Sequence, residues 1–271
     1  MTGEVMQHIR ASLSSNSPLV VAGVGSGLTA KGAAAGGADL LAVYSTAVYR
    51  ILGVPTALAF LPYDDANALT LATAPQVIAA AAGVPVLLGF GAHDPRRPLE
   101  GLLDQTEALG AAGVTNEPFI GIYSQDLQSQ LEAAGLGFTR ELELVRLAVE
   151  RGMLALGWAF TPDEARRMAE AGAQLVGAMI GVTAGGAAGG MALTSIDAAI
   201  DKVAAMAEAA LQVNKDVLVL GHGGPFNDAA SVGLMLKRTR AAGYVTGSTG
   251  ERIPVEKAVA QAVREFKQIR S

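Results

Sequence analysis

Eight short apolar, β-rich runs alternate with helical stretches along this chain, and nothing else in the sequence restricts its fold as tightly. The runs cover residues 19–24, 39–43, 85–90, 114–119, 153–157, 174–180, 216–220 and 243–246. They recur about every 25–45 residues, the rhythm of βα units that build a parallel sheet. Most are continuous apolar stretches rather than alternations, the pattern of strands buried on both faces. An open doubly wound sheet would read alike over any short stretch, but eight repeats favour closure. The expected fold is α/β, a (β/α)8 TIM barrel in a single domain over 1–271, with 1–17 as an N-terminal arm. The 271 residues fit, since such barrels take about 250.

Composition narrows the function classes. The formal net charge of −5 leaves no basic stripe to neutralise phosphates, so nucleic acid is not an expected partner. The chain has no cysteine, which excludes disulfides, thiolate metal sites and cysteine nucleophiles. No uninterrupted apolar stretch reaches the roughly 18 residues of a membrane span. The first ten residues carry Glu4 and His8 and lack an apolar signal region, so a cytoplasmic location is expected.

Chemistry in such a barrel sits where the strands end, at their C-terminal side. His93 follows the third run and His222 the seventh, and the sole tryptophan, Trp158, also ends a strand. His8 reads as a surface residue. Glu117 lies inside the fourth run, in Asn116-Glu117-Pro118. A carboxylate there is either paired across the barrel mouth or serves as metal ligand or general base, because unpaired buried charge is costly. Asp64 and Asp65 stand in the long excursion 47–67 after the second run. They are turn-forming acids or members of a loop that closes over substrate, and Tyr63 is its lid-like neighbour.

Three glycine-rich stretches offer backbone N–H groups to an anion: Gly25-Ser26-Gly27, Gly221-His222-Gly223-Gly224 and Gly247-Ser248-Thr249-Gly250. Gly25, Ser26, Gly223, Gly224, Ser248 and Thr249 are thus candidate substrate contacts, the alternative being glycines that only permit tight turns. The 185–190 run reads as a mobile lid. Arg252 pairs locally or meets a substrate anion. No Ser-His-Asp elbow, paired-His metal motif or strand-end lysine occurs, and the last absence argues against a Schiff-base aldolase.

The segments Val24-Gly25-Ser26-Gly27, Leu61-Pro62-Tyr63-Asp64-Asp65-Ala66-Asn67, Gly89-Phe90-Gly91-Ala92-His93-Asp94-Pro95, Asn116-Glu117-Pro118, Gly221-His222-Gly223-Gly224-Pro225 and Gly247-Ser248-Thr249-Gly250-Glu251-Arg252-Ile253-Pro254 span the whole chain. In them the sequence resembles the phosphoenolpyruvate hydrolase-like TIM-barrel family, a relative of which forms the C-terminal domain of the plant antiviral protein Tm-1. It is more distantly similar to the phosphoenolpyruvate mutase and isocitrate lyase superfamily. That likeness implies Mg²⁺ or another divalent ion, a small 2-oxoacid, and cleavage of C–C or C–P bonds. A loop acid maps onto Asp64 or Asp65, and the strand-4 carboxylate onto Glu117, which becomes the implied metal ligand. The superfamily's two strand-3 aspartates, however, align with Gly89 and Gly91. An oxygen-rich Mg²⁺ site is hard to assemble from Glu117 alone.

The leading expectation is a hydrolase or lyase acting on a small oxoacid or phosphonate-like carboxylate through an enolate-type intermediate. Glu117, His222, Asp64, Asp65 and His93 are its candidate acid–base set, with roles undivided. A metal-free retro-aldol or β-keto acid cleavage is the second reading. A ligand-sensing barrel without turnover, acting beside a Tm-1-like ATP-binding partner, is the third. An alanine-rich apolar barrel is also expected to form homo-oligomers.

Overall fold

The computed structural model describes residues 2–186 and 193–270. The first half runs α1 (Thr2–Ser14), β1 (Leu19–Gly23), α2 (Gly27–Ala35), β2 (Leu40–Val43), α3 (Ser45–Ile51), α4 (Ala66–Ala80), β3 (Val86–Gly89), α5 (Leu99–Ala108) and β4 (Gly113–Thr115). There follow α6 (Gln125–Ala133), α7 (Phe138–Glu150), β5 (Leu154–Ala159), α8 (Pro162–Glu170) and β6 (Leu175–Met179). The chain continues through α9 (Ile196–Val213), β7 (Leu218–His222), α10 (Ala229–Arg238), β8 (Gly243–Thr246) and α11 (Arg252–Lys267). Every strand lies parallel to the next, and β8 closes on β1 with Leu19 opposite Gly243 and Val21 opposite Val245. The fold is the expected (β/α)8 barrel.

Burial explains the closure. Val21, Leu40, Leu87, Leu156, Leu175 and Val245 point inward and fill the barrel, while a shell of helix-on-strand contacts surrounds it in two halves. Each such side chain contributes about 1.5–3 kcal/mol on leaving water. Ile9 of α1 joins the inner cluster, so the 1–17 segment is a helix laid against the barrel, tied by Arg10 to Asp216 at 3.1 Å. His8 is exposed. Thr161 caps α8 ahead of Pro162, as its sequence predicts. Among the described residues no helix is long and apolar enough to cross a membrane.

Three segments differ from expectation. The strand expected over 114–119 stops at Thr115, because Asn116 turns its side chain into the wall of the barrel. The expected loop over 47–67 is mostly structured, holding α3 and a 3-10 turn at Thr56–Phe60. The helix expected from Pro75 starts at Ala66, where Asp65 accepts the Ala68 N–H at 2.9 Å. Pro75 sits inside it and removes one backbone donor, a loss offset by burial of Thr70, Ala74 and Val77 on the same helix.

Candidate active site

At the C-terminal side of the strands a cavity open to solvent, with about 20 Å³ of free space at its inner end, lies among Arg50, Glu117, Met179, Gly181, His222 and Ser248. Each polar wall comes from a different element. Arg50 is on α3, Glu117 just beyond β4, His222 ends β7, and Ser248 follows β8.

Glu117 is buried, with a cis peptide bond to Pro118. One carboxyl oxygen accepts the Thr46 hydroxyl, while Oε2 has no partner. Burial pushes its pKa up to about 7, against the opposing pull of Thr46 and Arg50. Its position is held from behind. Asn116 Oδ1 accepts the main-chain N–H of Trp158 at 2.7 Å, and Asn116 Nδ2 donates to Glu141 Oε2 at 2.7 Å. Glu141 also accepts the Ile120 N–H at 2.8 Å, and burial raises its pKa to about 8.

His222 sits between Trp158, edge-on at 5.0 Å, and Tyr244, stacked at 6.2 Å. Its Nδ1 lies 2.7 Å from the Val245 carbonyl oxygen. A carbonyl only accepts, so Nδ1 carries the proton and Nε2 keeps its lone pair. Burial pushes the imidazole down to about 4, which keeps it neutral near pH 7.

Arg50 is the cation of the mouth. Its Nε donates to Glu251 Oε2 at 3.1 Å, its Nη2 to the Gly23 carbonyl at 3.1 Å, and it covers the Tyr44 ring at 5.5 Å. Burial works against its charge, but Tyr44, Glu251 and Glu117 raise its pKa above the ordinary value. A point at the Cβ position of Gly247 would lie 3.5 Å from His222 Nε2 and 3.8 Å from Arg50 Nη1, so both groups face that glycine.

The sequence candidates separate in space. Glu117, His222 and Ser248 share the mouth cavity. Asp64 and His93 instead line a neighbouring cleft of about 480 Å³, walled by Phe60, Pro62, Tyr123 and Leu131. There Asp64 accepts the Tyr49 hydroxyl. Asp65 is the α4 cap and pairs with Arg97 at 2.7 Å, so it serves structure rather than the mouth. His93 Nδ1 is buried without a partner, and burial lowers its pKa. Tyr63 is 69% exposed and covers neither cavity.

The anion cradles also need correction. The Gly25 N–H already donates to Glu251 Oε1 at 2.6 Å, joined by the Thr29 hydroxyl at 2.7 Å, and Ser26 caps α2. An internal carboxylate occupies that cradle. Gly223 and Gly224 do not open a helix, since α10 starts at Ala229 under its own Asp228 cap. The Gly224 N–H donates to the Gly181 carbonyl at 3.0 Å. Gly223 has φ 75°, and a Cβ there would meet that same carbonyl at 1.9 Å, so the tight-turn reading holds for this pair. Thr249 lies on an outer groove beside Tyr244, away from the mouth. Of the expected 185–190 lid, residues 187–190 lie outside the described residues, and the Gly185 carbonyl accepts from Arg252 Nη2 at 2.9 Å.

Sequence reasoning missed Arg50, Thr46 and Glu251. Arg50 follows an apolar stretch after strand 2, and Glu251 stands one residue before Arg252, but neither has a spacing signature.

A divalent ion does not fit this donor set. No group of three or more metal-binding side chains occurs among the described residues. Glu117 is the lone carboxylate lining the cavity, with the Arg50 guanidinium facing it. A side chain at Gly89 would strike the Tyr44 Cβ at 2.4 Å and the Glu117 carbonyl at 2.8 Å, so no aspartate fits there.

Comparison with known proteins follows the geometry. A family model described as phosphoenolpyruvate hydrolase-like matches residues 4–269. The ToMV susceptible protein tm-1(GCR26) of Solanum lycopersicum is 36% identical over 266 residues, 98% of this chain and 35% of that protein. The chain thus spans less than half the length of the curated relatives it matches. Oxaloacetate acetylhydrolase in complex with the product oxalate superposes with a TM-score of 0.60 at 14% identity, covering 95% of this chain and 85% of that one. A phosphonopyruvate hydrolase complex with oxalate and Mg++ superposes with a TM-score of 0.59 at 15% identity, covering 96% and 84%. At such identities the likeness is one of fold.

Proposed function

The chain belongs to the phosphoenolpyruvate hydrolase-like family, and from that premise we propose that it is a hydrolase or lyase cleaving a C–C or C–P bond in a small 2-oxoacid or phosphonate-like carboxylate. One observation carries the reading: a buried carboxyl with a free oxygen and a pKa of about 7 shares a cavity with a neutral imidazole and a buried guanidinium. Two relatives in fold, an oxaloacetate acetylhydrolase and a phosphonopyruvate hydrolase, both have oxalate in their structures, which supports a small carboxylate as the substrate class.

In this reading Glu117, when ionised, takes the proton from the hydroxyl or water that starts cleavage. The electron pair of the breaking bond passes into the substrate carbonyl and forms an enolate. Arg50 Nη1 stabilises the developing oxyanion in a site that needs no reorganisation. Where water is the nucleophile, His222 Nε2 accepts its second O–H and orients it. Protonated Glu117 then returns its proton to the enolate carbon. No metal enters any step, because the donor set does not fit one.

The test is turnover of a panel of 2-oxoacids, phosphonates and dicarboxylates, with and without chelator. Glu117→Gln is expected to lower kcat by about 100-fold or more with KM changed far less. Because the base must be ionised, kcat/KM should rise as pH climbs through about 7. Turnover abolished by chelator would overturn the metal-free chemistry, and full activity of the variant would remove Glu117 from it.

A further inference from the structure

The cleft beside the barrel mouth is the larger of the two spaces, and no step of the proposed chemistry uses it. It holds about 480 Å³, enough for a small organic ligand, between Phe60, Pro62, Pro118, Tyr123, Leu127 and Leu131. Phe60 also lines the mouth, where its ring stacks on Phe119 at 5.3 Å. Glu117 and Phe119 line the mouth, while Pro118 between them lines the cleft. The two spaces are therefore neighbours across one residue of main chain. The inner end of the mouth leaves only about 20 Å³, so a substrate of more than a few atoms extends outward past Phe60.

The chemistry of the cleft wall restricts what fits there. His93 Nδ1 is buried and unpartnered. A buried N–H without a partner is rarer than an unpaired acceptor, so Nδ1 keeps the lone pair and Nε2 carries the proton. Burial holds the ring below its ordinary pKa, against the pull of Asp94, so it is neutral near pH 7. The Nε2 edge faces the cleft floor. A point at the Cβ position of Gly91 lies 3.4 Å from Nε2 and 3.4 Å from Pro118 Cγ, and Gly91 and Pro118 both line the cleft. The ring thus presents an N–H donor beside the residue that follows Glu117. Helix α6 supplies the opposite character. None of its nine residues is buried, and Leu127 and Leu131, four apart, turn the same apolar side to the cleft. Such a wall gains by contact with an apolar group. Asp64 and Asp94 line the cleft too, and Arg96, the cation on its described wall, is already paired with Asp94 at 2.9 Å. A second carboxylate would meet repulsion there.

We propose that this cleft binds the far half of the substrate, which is a 2-oxoacid extended by an uncharged apolar acyl or aryl group, with one acceptor oxygen of that group held by His93 Nε2–H. The carboxylate end sits in the mouth, and the extension passes Phe60 to lie between Pro118 and the α6 leucines. His93 is then a specificity-determining contact rather than an acid or a base. Burial of a phenyl-sized group strengthens binding by about 10- to 100-fold, and a neutral hydrogen bond adds about 2- to 10-fold. The assignment of the two halves rests on the mouth being the active centre.

Titration calorimetry of the full chain with pyruvate, 2-oxoglutarate and 4-phenyl-2,4-dioxobutanoate tests this. The phenyl acid should bind about 10-fold or more tighter than the other two. Equal affinities, or tightest binding of 2-oxoglutarate, would overturn the proposal. Leu131→Trp fills the cleft from a surface helix and should bring the ratio of phenyl-acid to pyruvate affinity back toward one. His93→Phe keeps a flat ring without the donor and should lower the same ratio several-fold. A ratio unchanged in Leu131→Trp would overturn the cleft as the site, and one unchanged in His93→Phe would remove His93 from it. Acetophenone has the aryl group and the acceptor oxygen but no carboxylate, so it probes the cleft without the mouth. It should move the imidazole resonances of His93, assigned by their loss in His93→Phe, and leave those of His222 in place. Unmoved His93 resonances would overturn the proposal whatever the mouth does. Moved resonances with no turnover of any oxoacid would uphold the cleft as a binding site and remove only the hydrolase or lyase reading.

Discussion

Glu117 differs from a surface carboxylate in the direction of its response to pH. Burial carries its pKa from 4.5 to about 7. Between those values the native chain keeps a proton that the unfolded chain has released. Its contribution to stability is therefore full below about 4.5 and declines until the pH passes about 7, a loss of about 3 kcal/mol. Glu141 acts in the same sense and extends the decline to about 8. Urea unfolding of the wild type and Glu117→Gln between about pH 5 and pH 8 checks this. The wild type should lose stability relative to the variant as pH rises, and parallel curves would refute the assignment. His222 is depressed from 6.5 to about 4, so between those values it adds a slope of the opposite sign, which the wild type and Glu117→Gln share and which cancels in their difference.

At the scale of elements, Asp65 illustrates how an acid near an active site can belong to a helix instead. Asp65→Ala removes the α4 cap and the Arg97 pair, and should cost about 1 kcal/mol of stability with turnover unchanged. A large fall in kcat, at retained stability, would return Asp65 to the chemistry. The strand runs and the Thr161-Pro162 helix start were legible because burial on both faces and capping leave local patterns in sequence. Glu117 and His222 were legible because a polar residue at the end of an apolar run is locally anomalous. Arg50 was not, since its role arises from Glu251, 201 residues away in the chain. The glycine stretches misled for a related reason. A cradle of N–H groups looks the same in sequence whether a ligand or the chain's own carboxylate fills it, as Glu251 does at Gly25.

The whole molecule depends on one inner apolar layer to which seven of the eight strands, all but β4, contribute. Leu156 is fully buried there, so Leu156→Ala should destabilise the fold by about 2–5 kcal/mol, read by calorimetry as a single lowered transition. Two separate transitions would mean that the halves of the barrel melt independently. The Arg50–Glu251 pair has a consequence at this scale too. The guanidinium is already neutralised by its own chain, so the formal charge of the cavity lining follows Glu117 alone, zero when protonated and minus one when not. An anion entering beside an ionised Glu117 raises the pKa of that carboxyl further, so part of the bound population takes up a proton and only the ionised remainder turns over. Titration calorimetry of one carboxylate in two buffers of different ionisation enthalpy should then give different heats above about pH 7, with the discrepancy vanishing in Glu117→Gln. Binding of a carboxylate would then draw hydrogen ions from solution, and its apparent affinity would be a property of the medium as much as of the fold.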